Sequence, residues 1–203
     1  MLITPLIGCL LFIIFYFIAT LFYPGGSGAD KTTTGYNWTE NYWCNLLNEK
    51  AINGQINRAK PFAVIAMIIL SLALSTFWML FPIIAQLKKT QRILIQVTGL
   101  TAMLTSFLLI TDLDHDIVVN TSSSFGFIAM IATIVALQQL KWNKLFWFGL
   151  FNILLIVLNS YLYRSGQMTY LPIVQKISFL SFLTWFSFID LNLFRIVYRF
   201  NRR

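Results

Sequence analysis

Six long apolar stretches constrain this chain more than any other feature of its sequence. They run approximately from Leu2 to Tyr23, Pro61 to Gln86, Ile93 to Thr111, Ile117 to Leu140, Leu145 to Tyr163 and Leu171 to Val197. A helix needs about 20 residues to cross a hydrocarbon core of about 30 Å. Isolated strands leave backbone groups unpaired in lipid, and these stretches are too long and too uniformly apolar for barrel strands. The sequence therefore predicts an all-α polytopic membrane protein, a bundle of six transmembrane helices.

Composition agrees with a lipid environment. The chain is 58% hydrophobic and only 11% charged, whereas about a quarter of the residues in soluble domains are charged. Every connection between the apolar stretches except the first is too short to hold another folded unit. We therefore expect residues 1–203 to form a single domain, with an extracytoplasmic loop over 24–60.

The loop over 24–60 carries its own pattern. A cluster of proline and glycine from Pro24 to Gly28 ends the first apolar stretch. Between Asn37 and Ile52 apolar residues recur at helical spacing and polar residues fall largely on the opposite face. The apolar positions are Tyr42, Trp43, Leu46, Leu47 and Ala51. This pattern predicts a short amphipathic helix lying on the outer surface of the membrane.

The distribution of basic residues predicts the orientation. With six crossings, one side of the membrane receives the connections after the second and fourth stretches and the C-terminus. The basic residues there are Lys88, Lys89, Arg92, Lys141, Lys144, Arg199, Arg202 and Arg203. Basic loops stay in the cytoplasm, so we expect both termini to be cytoplasmic. The first stretch has neither the basic n-region nor the small-residue cleavage site of a signal peptide, so we expect the first helix to be retained. The net charge of +8 then favours anionic lipid as a partner, and nucleic acid is not expected.

Polar chemistry is concentrated between the third and fourth stretches. Three of the seven carboxylates and the only histidine lie in Asp112-Leu113-Asp114-His115-Asp116. Acidic residues at a helix N-terminus satisfy free amides, so the cluster is explained as the cap of the fourth helix. Alternatively Asp112, His115 and Asp116 fall on one face of a helical turn and form a binding or catalytic site. The sequence leaves both interpretations open.

The same cluster also predicts which metal would bind, if any does. The candidate ligands are Asp112, Asp114, His115 and Asp116. One histidine among carboxylates offers hard oxygen ligands, which favour calcium, magnesium or manganese. Zinc is unlikely, because it prefers nitrogen and sulfur ligands.

Polar residues within the outer halves of the stretches predict a cavity that opens outward. Asp116 and Asn120 lie one turn apart on the fourth helix, while Arg164 and Lys176 lie near the outer ends of the fifth and sixth. An ammonium at the depth of Lys176 must either snorkel or find a carboxylate. Further candidate ligand-binding residues on the surface helix above the cavity are Glu40, Asn41 and Asn45. This mixture of charges suits a zwitterionic or phosphorylated lipid headgroup or a small polar ligand.

Cys44 raises an enzymatic alternative. A thiol activated by His115 and oriented by Asp112 or Asp116 would suit a hydrolase or acyltransferase, whereas an interfacial cysteine needs no such role. Asp190, near the inner end of the sixth stretch, is expected to pair with Lys144 or Arg195. No cofactor is implied by the aromatic residues, which are explained by packing and membrane anchoring.

Two short motifs and the layout carry a family resemblance. The loop over 24–60 follows Tyr23-Pro24-Gly25-Gly26 and contains Asn41-Tyr42-Trp43-Cys44-Asn45-Leu46, and His115 stands at the outer start of the fourth helix. In these features the chain resembles bacterial six-span membrane proteins allied to the Frag/DRAM-like superfamily. The resemblance implies a place in a bacterial inner membrane. Because eukaryotic members of the group act in lipid-anchor remodelling and lipid organisation, it also implies a role toward membrane lipids, and it points to His115 and Asn41 as site residues.

Four functions remain open at this point. A transporter or channel ranks last, because the second and third helices have few polar residues in their inner halves and no internal repeat is evident. The other three are as follows. The first is a lipid-binding or ligand-binding membrane protein with an outward polar cavity. The second is a membrane-embedded hydrolase or acyltransferase that uses Asp112, His115 and Asp116 with a metal or with Cys44. The third is a scaffold or accessory subunit, whose partner would be another membrane protein or a second copy of this chain.

Overall fold

The computed structural model describes residues 3–108, 111 and 113–200, and these residues form six α-helices. The helices are α1 (Thr4–Leu21), α2 (Lys60–Ile84), α3 (Lys89–Phe107), α4 (His115–Gln139), α5 (Asn143–Arg164) and α6 (Leu171–Phe200). Each overlaps one of the six apolar stretches. The described residues contain no strand beyond two isolated bridges, Gly25 with Thr34 and Lys50 with Ile56. The all-helical class is therefore confirmed.

Five of these helices are long and apolar enough to cross a membrane. They are α1, α2, α4, α5 and α6. The exception is α3, whose 19 residues include several threonines and glutamines. The chain is therefore a helical, membrane-embedded protein, and the number of its crossings depends on α3.

The predicted amphipathic helix over residues 37–52 is much shorter in the structure. Only a five-residue 3-10 helix, η1 (Trp43–Leu47), forms there. The amide of Asn57 explains why η1 ends early, because its Nδ2 atom donates to the carbonyls of Asn45, Leu46 and Asn48 at 3.1, 3.2 and 2.8 Å. These carbonyls would otherwise accept the next bonds of a continuing helix.

The described residues group into two compact units. The first unit contains the described parts of 1–10, 68–150 and 184–203, and the second contains 11–67 and 151–183. The helices α1, α2, α5 and α6 thus each contribute to both units, while α3 and α4 belong to the first.

Aromatic rings and close helix contacts build the core of the first unit. The ring of Phe186 lies 4.6 Å from that of Phe77 and 5.1 Å from that of Trp78, both edge to face. Trp78 in turn packs against α3 at Gly99, where an added Cβ would lie 2.3 Å from the indole ring. Such a contact leaves room for glycine alone, since core packing tolerates no extra carbon without a shift. Helix α1 approaches α2 in a similar way, at Gly8 and Ala73.

The second unit is built around η1 and the segment on either side of it. Trp43 of η1 packs 5.2 Å from Tyr16 of α1 and 5.4 Å from Phe179 of α6 between ring centroids. The segment also bonds to itself, with Gly26 N donating to Thr33 O at 2.8 Å and Asn53 N to Gly25 O at 3.2 Å. Gly25 and Gly26 have φ of 139° and 83°, values that favour glycine. The segment over residues 24–60 is therefore folded, and aromatic contacts and backbone hydrogen bonds maintain its conformation.

Candidate functional site

The first turn of α4 carries the acidic cluster, and the structure gives one of its members a definite role. The Oδ1 atom of Asp114 accepts hydrogen bonds from the backbone N of Asp116 and Ile117 at 2.9 and 3.0 Å. Asp114 is thus the N-cap of α4 and satisfies two amides that have no partner inside the helix. This is the role that the cap interpretation predicts.

The remaining members of the cluster are placed to different extents. Asp116 and Asn120 lie on α4 with exposed side chains, and the carbonyl of Asn120 accepts a bond from Ser124 Oγ at 2.7 Å. Asp112 and the side chain of His115 lie outside the described residues. Among the residues that are described, no three His, Cys, Asp or Glu side chains are grouped to hold a metal ion. The metal interpretation rests on Asp112 and His115 and stays a prediction.

A second polar cluster lies in the second unit, where α6 meets the segment over residues 24–60. Its centre is Lys176, whose side chain is only 7% exposed. The Nζ atom donates to the carbonyl of Asn41 and, at 2.9 Å, to the carbonyl of Pro172. It also lies 5.8 Å from the ring centroid of Tyr36, over its face. Carbonyl dipoles and the ring quadrupole replace part of the lost hydration of the ammonium.

Asn41 connects this lysine to the rest of the loop. Its side chain accepts from Asn37 N and donates to Gly26 O, both at 2.8 Å, and its carbonyl also accepts from Tyr36 Oη at 3.1 Å. The side chain is fully buried, so these bonds are needed to offset its desolvation. Asn41 therefore fixes the loop conformation that presents its carbonyl to Lys176.

Glu40 and Asn45, the other loop candidates, also take part in loop structure. The carboxylate of Glu40 accepts a bond from Ser27 Oγ. The Oδ1 atom of Asn45 accepts from Tyr42 N at 2.7 Å at the start of η1. Arg164 differs from both, because its side chain is exposed in the last turn of α5, where a cation complements the helix dipole.

Cys44 belongs to the same cluster as Lys176. Its half-buried thiol is hydrogen-bonded by the side chain of Gln175 and lies within electrostatic range of Lys176. Burial raises the pKa of the Cys44 thiol, and the bonds from Gln175 and the nearby ammonium offset this only in part. The thiol therefore stays protonated at neutral pH, the form that is a poor nucleophile.

Two residues of this region, Gln175 and Trp43, each hold a side-chain atom with unused hydrogen-bonding capacity. The Oε1 atom of Gln175 and the indole Nε1 of Trp43 are buried and have no hydrogen-bond partner among the described residues. An unpartnered buried polar atom is costly, and native proteins keep few of them. Among the described residues, one acceptor on Gln175, the neighbour of Lys176 in sequence, and one donor on Trp43, the neighbour of Cys44, are thus without a partner. We call Asn41, Trp43, Cys44, Gln175 and Lys176 the Lys176 cluster.

The structure corrects one expectation for this region and adds two residues to it. Lys176 was expected to snorkel or to find a carboxylate, but its described partners are two backbone carbonyls and a ring. The reason is that the loop covers it and supplies one carbonyl oxygen, from Asn41, while α6 itself supplies the other, from Pro172. Tyr36 and Trp43 were not among the predicted site residues, and no sequence pattern marks them, since their roles arise from contacts distant in the chain. Gln175, by contrast, was expected to face the outward cavity together with Lys176.

Asp190 also differs from expectation. It was predicted to pair with Lys144 or Arg195, and no such ion pair is found in the part of the chain that the structure describes. Its Oδ2 atom instead accepts from Leu6 N at 3.3 Å, in the first turn of α1. A carboxylate at this position complements the positive end of the helix dipole, so Asp190 caps α1.

Comparison of the chain with protein-family models, curated proteins and solved structures gave no significant match. The resemblance to the Frag/DRAM-like superfamily stays a prediction from its motifs.

Proposed function

We propose that this chain is a six-span protein of a bacterial cytoplasmic membrane that binds a lipid headgroup or a small polar ligand at an outward-facing polar site around the Lys176 cluster. The observation that carries the proposal is the buried ammonium of Lys176 in one cluster with Gln175 and Trp43, each of which holds a buried polar atom without a partner among the described residues. A phosphorylated or zwitterionic group offers acceptors for Lys176 and Trp43 Nε1, and a donor group on it would suit Gln175 Oε1.

The sixth crossing requires α3 to be compatible with lipid. Its 19 residues extend about 28 Å, close to the thickness of a hydrocarbon core. The hydroxyls of Thr98 and Thr105 donate to carbonyls four residues earlier at 2.7 and 2.8 Å, and Gln96 Nε2 donates to Met79 O at 3.0 Å. After its first two residues, the exposed side chains of α3 are all apolar, with Leu104 72% and Val97 56% exposed. These contacts support a lipid-exposed helix.

We propose that both termini lie in the cytoplasm and that residues 24–60 lie on the outer side of the membrane. The excess of lysine and arginine at the α2–α3 and α4–α5 connections supports it. Under this orientation η1 lies at the outer membrane surface with Trp43 turned inward, which is the interfacial role predicted for the loop. The motifs shared with the Frag/DRAM-like superfamily are consistent with this layout, and we propose that relationship with it.

Labelling of single cysteines tests the layout. In a background with Cys9→Ala and Cys44→Ala, we expect an impermeant maleimide added to intact cells to label Lys31→Cys and Leu113→Cys. Lys89→Cys and Lys144→Cys should react only after the membrane is permeabilised. Equal labelling of Lys89→Cys and Leu113→Cys in intact cells would mean that α3 does not cross.

Ligand binding is tested by native mass spectrometry of the detergent-extracted protein. Trp43→Phe removes the unpartnered indole N–H while keeping an aromatic ring, and Gln175→Met removes the unpartnered carbonyl. We expect either change to weaken the affinity for the ligand about tenfold. The fraction of protein with a retained ligand should fall accordingly. Trp78→Phe is the matched control, since the Trp78 Nε1 atom in the first unit is also buried without a described partner. A protein that carries no ligand, or three variants with the same occupancy, would refute the proposal.

The state of Cys44 favours binding over covalent catalysis. An acyl-transfer nucleophile must be available as the thiolate, whereas burial raises the pKa of this thiol. The enzymatic alternative with Asp112, His115 and Asp116 and the scaffold alternative both stay predictions. The rate at which iodoacetamide labels Cys44 in the folded protein tests the enzymatic alternative.

A further inference from the structure

A basic pocket of about 640 Å³ lies within the first unit, where α4 ends, α5 begins and the late part of α6 passes. Lys141, Lys144 and Arg195 contribute cations to its wall, and Trp142 lies between the first two in sequence. The aromatic side chains of Phe148 and Phe188 line it further along α5 and α6. The pocket thus combines a positively charged side with an apolar side.

The three cations have no carboxylate partner in the part of the chain that the structure describes. The ion pair found there joins Lys60 to Glu49, and the nearby Asp190 is engaged with the start of α1. Three like charges around one pocket repel one another, and an anion in the pocket would remove that repulsion. Electrostatics therefore favour a negatively charged occupant.

The backbone of Lys141 supports the same conclusion. Lys141 has a φ of 59° and occupies the left-handed position after α4, with Lys141 N donating to Gln138 O at 3.0 Å and Trp142 N to Leu137 O at 2.9 Å. Glycine is the usual residue at this position of a helix end, because a side chain is strained there. Lys141 adopts this strained backbone conformation, and a basic residue therefore lines the pocket at this position.

The apolar side distinguishes the possible anions. The rings of Phe148 and Phe188 lie 6.3 Å apart between centroids, and Phe188 is 49% exposed. A free phosphate gains nothing from contact with an apolar surface, whereas an acyl chain is stabilised by burying its hydrocarbon against one. Basic pockets between transmembrane helices near their ends are suited to anionic lipid headgroups, and tryptophan is common at that depth.

We propose that this pocket binds an anionic phospholipid. Its phosphate is bound by Lys141, Lys144 and Arg195, and an acyl chain lies along Phe148 and Phe188. The site is separate from the Lys176 cluster, and the inference holds whether or not that cluster binds a ligand. It rests on the placement of the helices in a membrane.

Native mass spectrometry of the full chain with added lipid tests the inference. Phosphatidylglycerol and phosphatidylcholine with the same acyl chains are the probes, and we expect the native protein to bind phosphatidylglycerol at least about tenfold more tightly. The triple variant Lys141→Gln, Lys144→Gln, Arg195→Gln should lose this preference. Lys31→Gln, Lys50→Gln, Arg58→Gln removes the same charge from the loop over 24–60 and should keep it.

A single variant separates binding from folding. Lys141→Gly relieves the backbone strain, so its thermal stability in detergent should equal or exceed that of the native protein. Its affinity for phosphatidylglycerol should fall about fivefold through the loss of one basic group. Unchanged affinity would overturn the proposal, as would equal binding of both lipids by the native protein or an equal loss in the control triple variant. Displacement of the lipid by inorganic phosphate alone would show instead a site for free phosphate.

Discussion

The side chain of Lys176 donates a hydrogen bond to the backbone carbonyl of Asn41, a residue 135 positions away in the sequence. Within the second unit this bond joins α6 to the segment over residues 24–60. Because the acceptor is a carbonyl of the loop, the ammonium stabilises the loop only in the folded conformation that Asn41 maintains.

Lys176→Met should loosen that segment. A hydrogen bond from a charged group contributes about 1.5 to 3 kcal/mol, and methionine keeps most of the buried hydrocarbon volume. We expect the free energy of unfolding to fall by about that amount and limited proteolysis between residues 24 and 60 to become faster. Lys31→Met, a change at an exposed loop lysine, is the control and should alter stability by less than about 0.5 kcal/mol. Equal protease resistance of both variants would contradict this role.

Asp114→Ala should destabilise the start of α4. Loss of a capping carboxylate costs about 1 kcal/mol, since two amides then lose their acceptor. Hydrogen exchange of the Asp116 and Ile117 amides should accelerate. Asp114→Asn retains an acceptor oxygen and should exchange nearly as slowly as the native protein. If asparagine and alanine behave alike, capping does not explain the residue.

Gly99→Ala should be much more harmful than Gly126→Ala, although both change a helical glycine of the first unit. A Cβ at Gly99 would lie 2.3 Å from the Trp78 ring, whereas one at Gly126 would lie 3.7 Å from Ala102 Cβ, an ordinary contact. We expect Gly99→Ala to lower stability by about 1 to 3 kcal/mol through overpacking. Gly126→Ala should leave stability unchanged or raise it by up to about 1 kcal/mol. Thermal unfolding in detergent distinguishes the two outcomes.

Alkylation of Cys44 should depend on pH in a defined direction. Its folded-state pKa is raised above the ordinary value of 9.0, so the folded protein holds its proton at a pH where the unfolded chain releases it. The corresponding stability is present below about pH 9 and is lost as the pH rises through the folded pKa.

Iodoacetamide labelling of a Cys9→Ala variant measures this effect. At pH 7 to 8.5 the folded protein should react more slowly than the same chain unfolded in denaturing detergent, and its rate should rise about tenfold per pH unit. Rapid labelling of the folded protein at pH 7 would contradict the raised pKa and would favour the enzymatic alternative.

Local properties of the sequence predicted the helices well. Long apolar stretches required helices in lipid, and Pro24 with Gly25 and Gly26 marked the end of α1. The capping interpretation of Asp114 was also accessible, because it depends only on amides two and three residues ahead. Such features need no knowledge of where distant residues lie.

Contacts between distant residues could not be predicted in the same way. The shortening of η1 depends on Asn57, whose amide takes the carbonyls of a segment about ten residues earlier. Topology placed Asn41 above the cavity that holds Lys176, but it did not indicate that the backbone carbonyl of Asn41 accepts from the ammonium or that the ring of Tyr36 lies beside it. The sequence thus pointed to the charge of Lys176, whereas its partners are set by three-dimensional packing.

In helix α3 the average hydropathy of the residues differs from the chemistry of the exposed surface. A scale counts each threonine as polar, yet the hydroxyls of Thr98 and Thr105 are turned back onto their own helix and the exterior is formed by residues such as Leu104. From Ile93 onward the exposed side chains of α3 are apolar, so the exposed surface of this helix is more apolar than its average hydropathy indicates. The number of membrane-spanning helices depends on the chemistry of exposed helix surfaces, which composition only approximates.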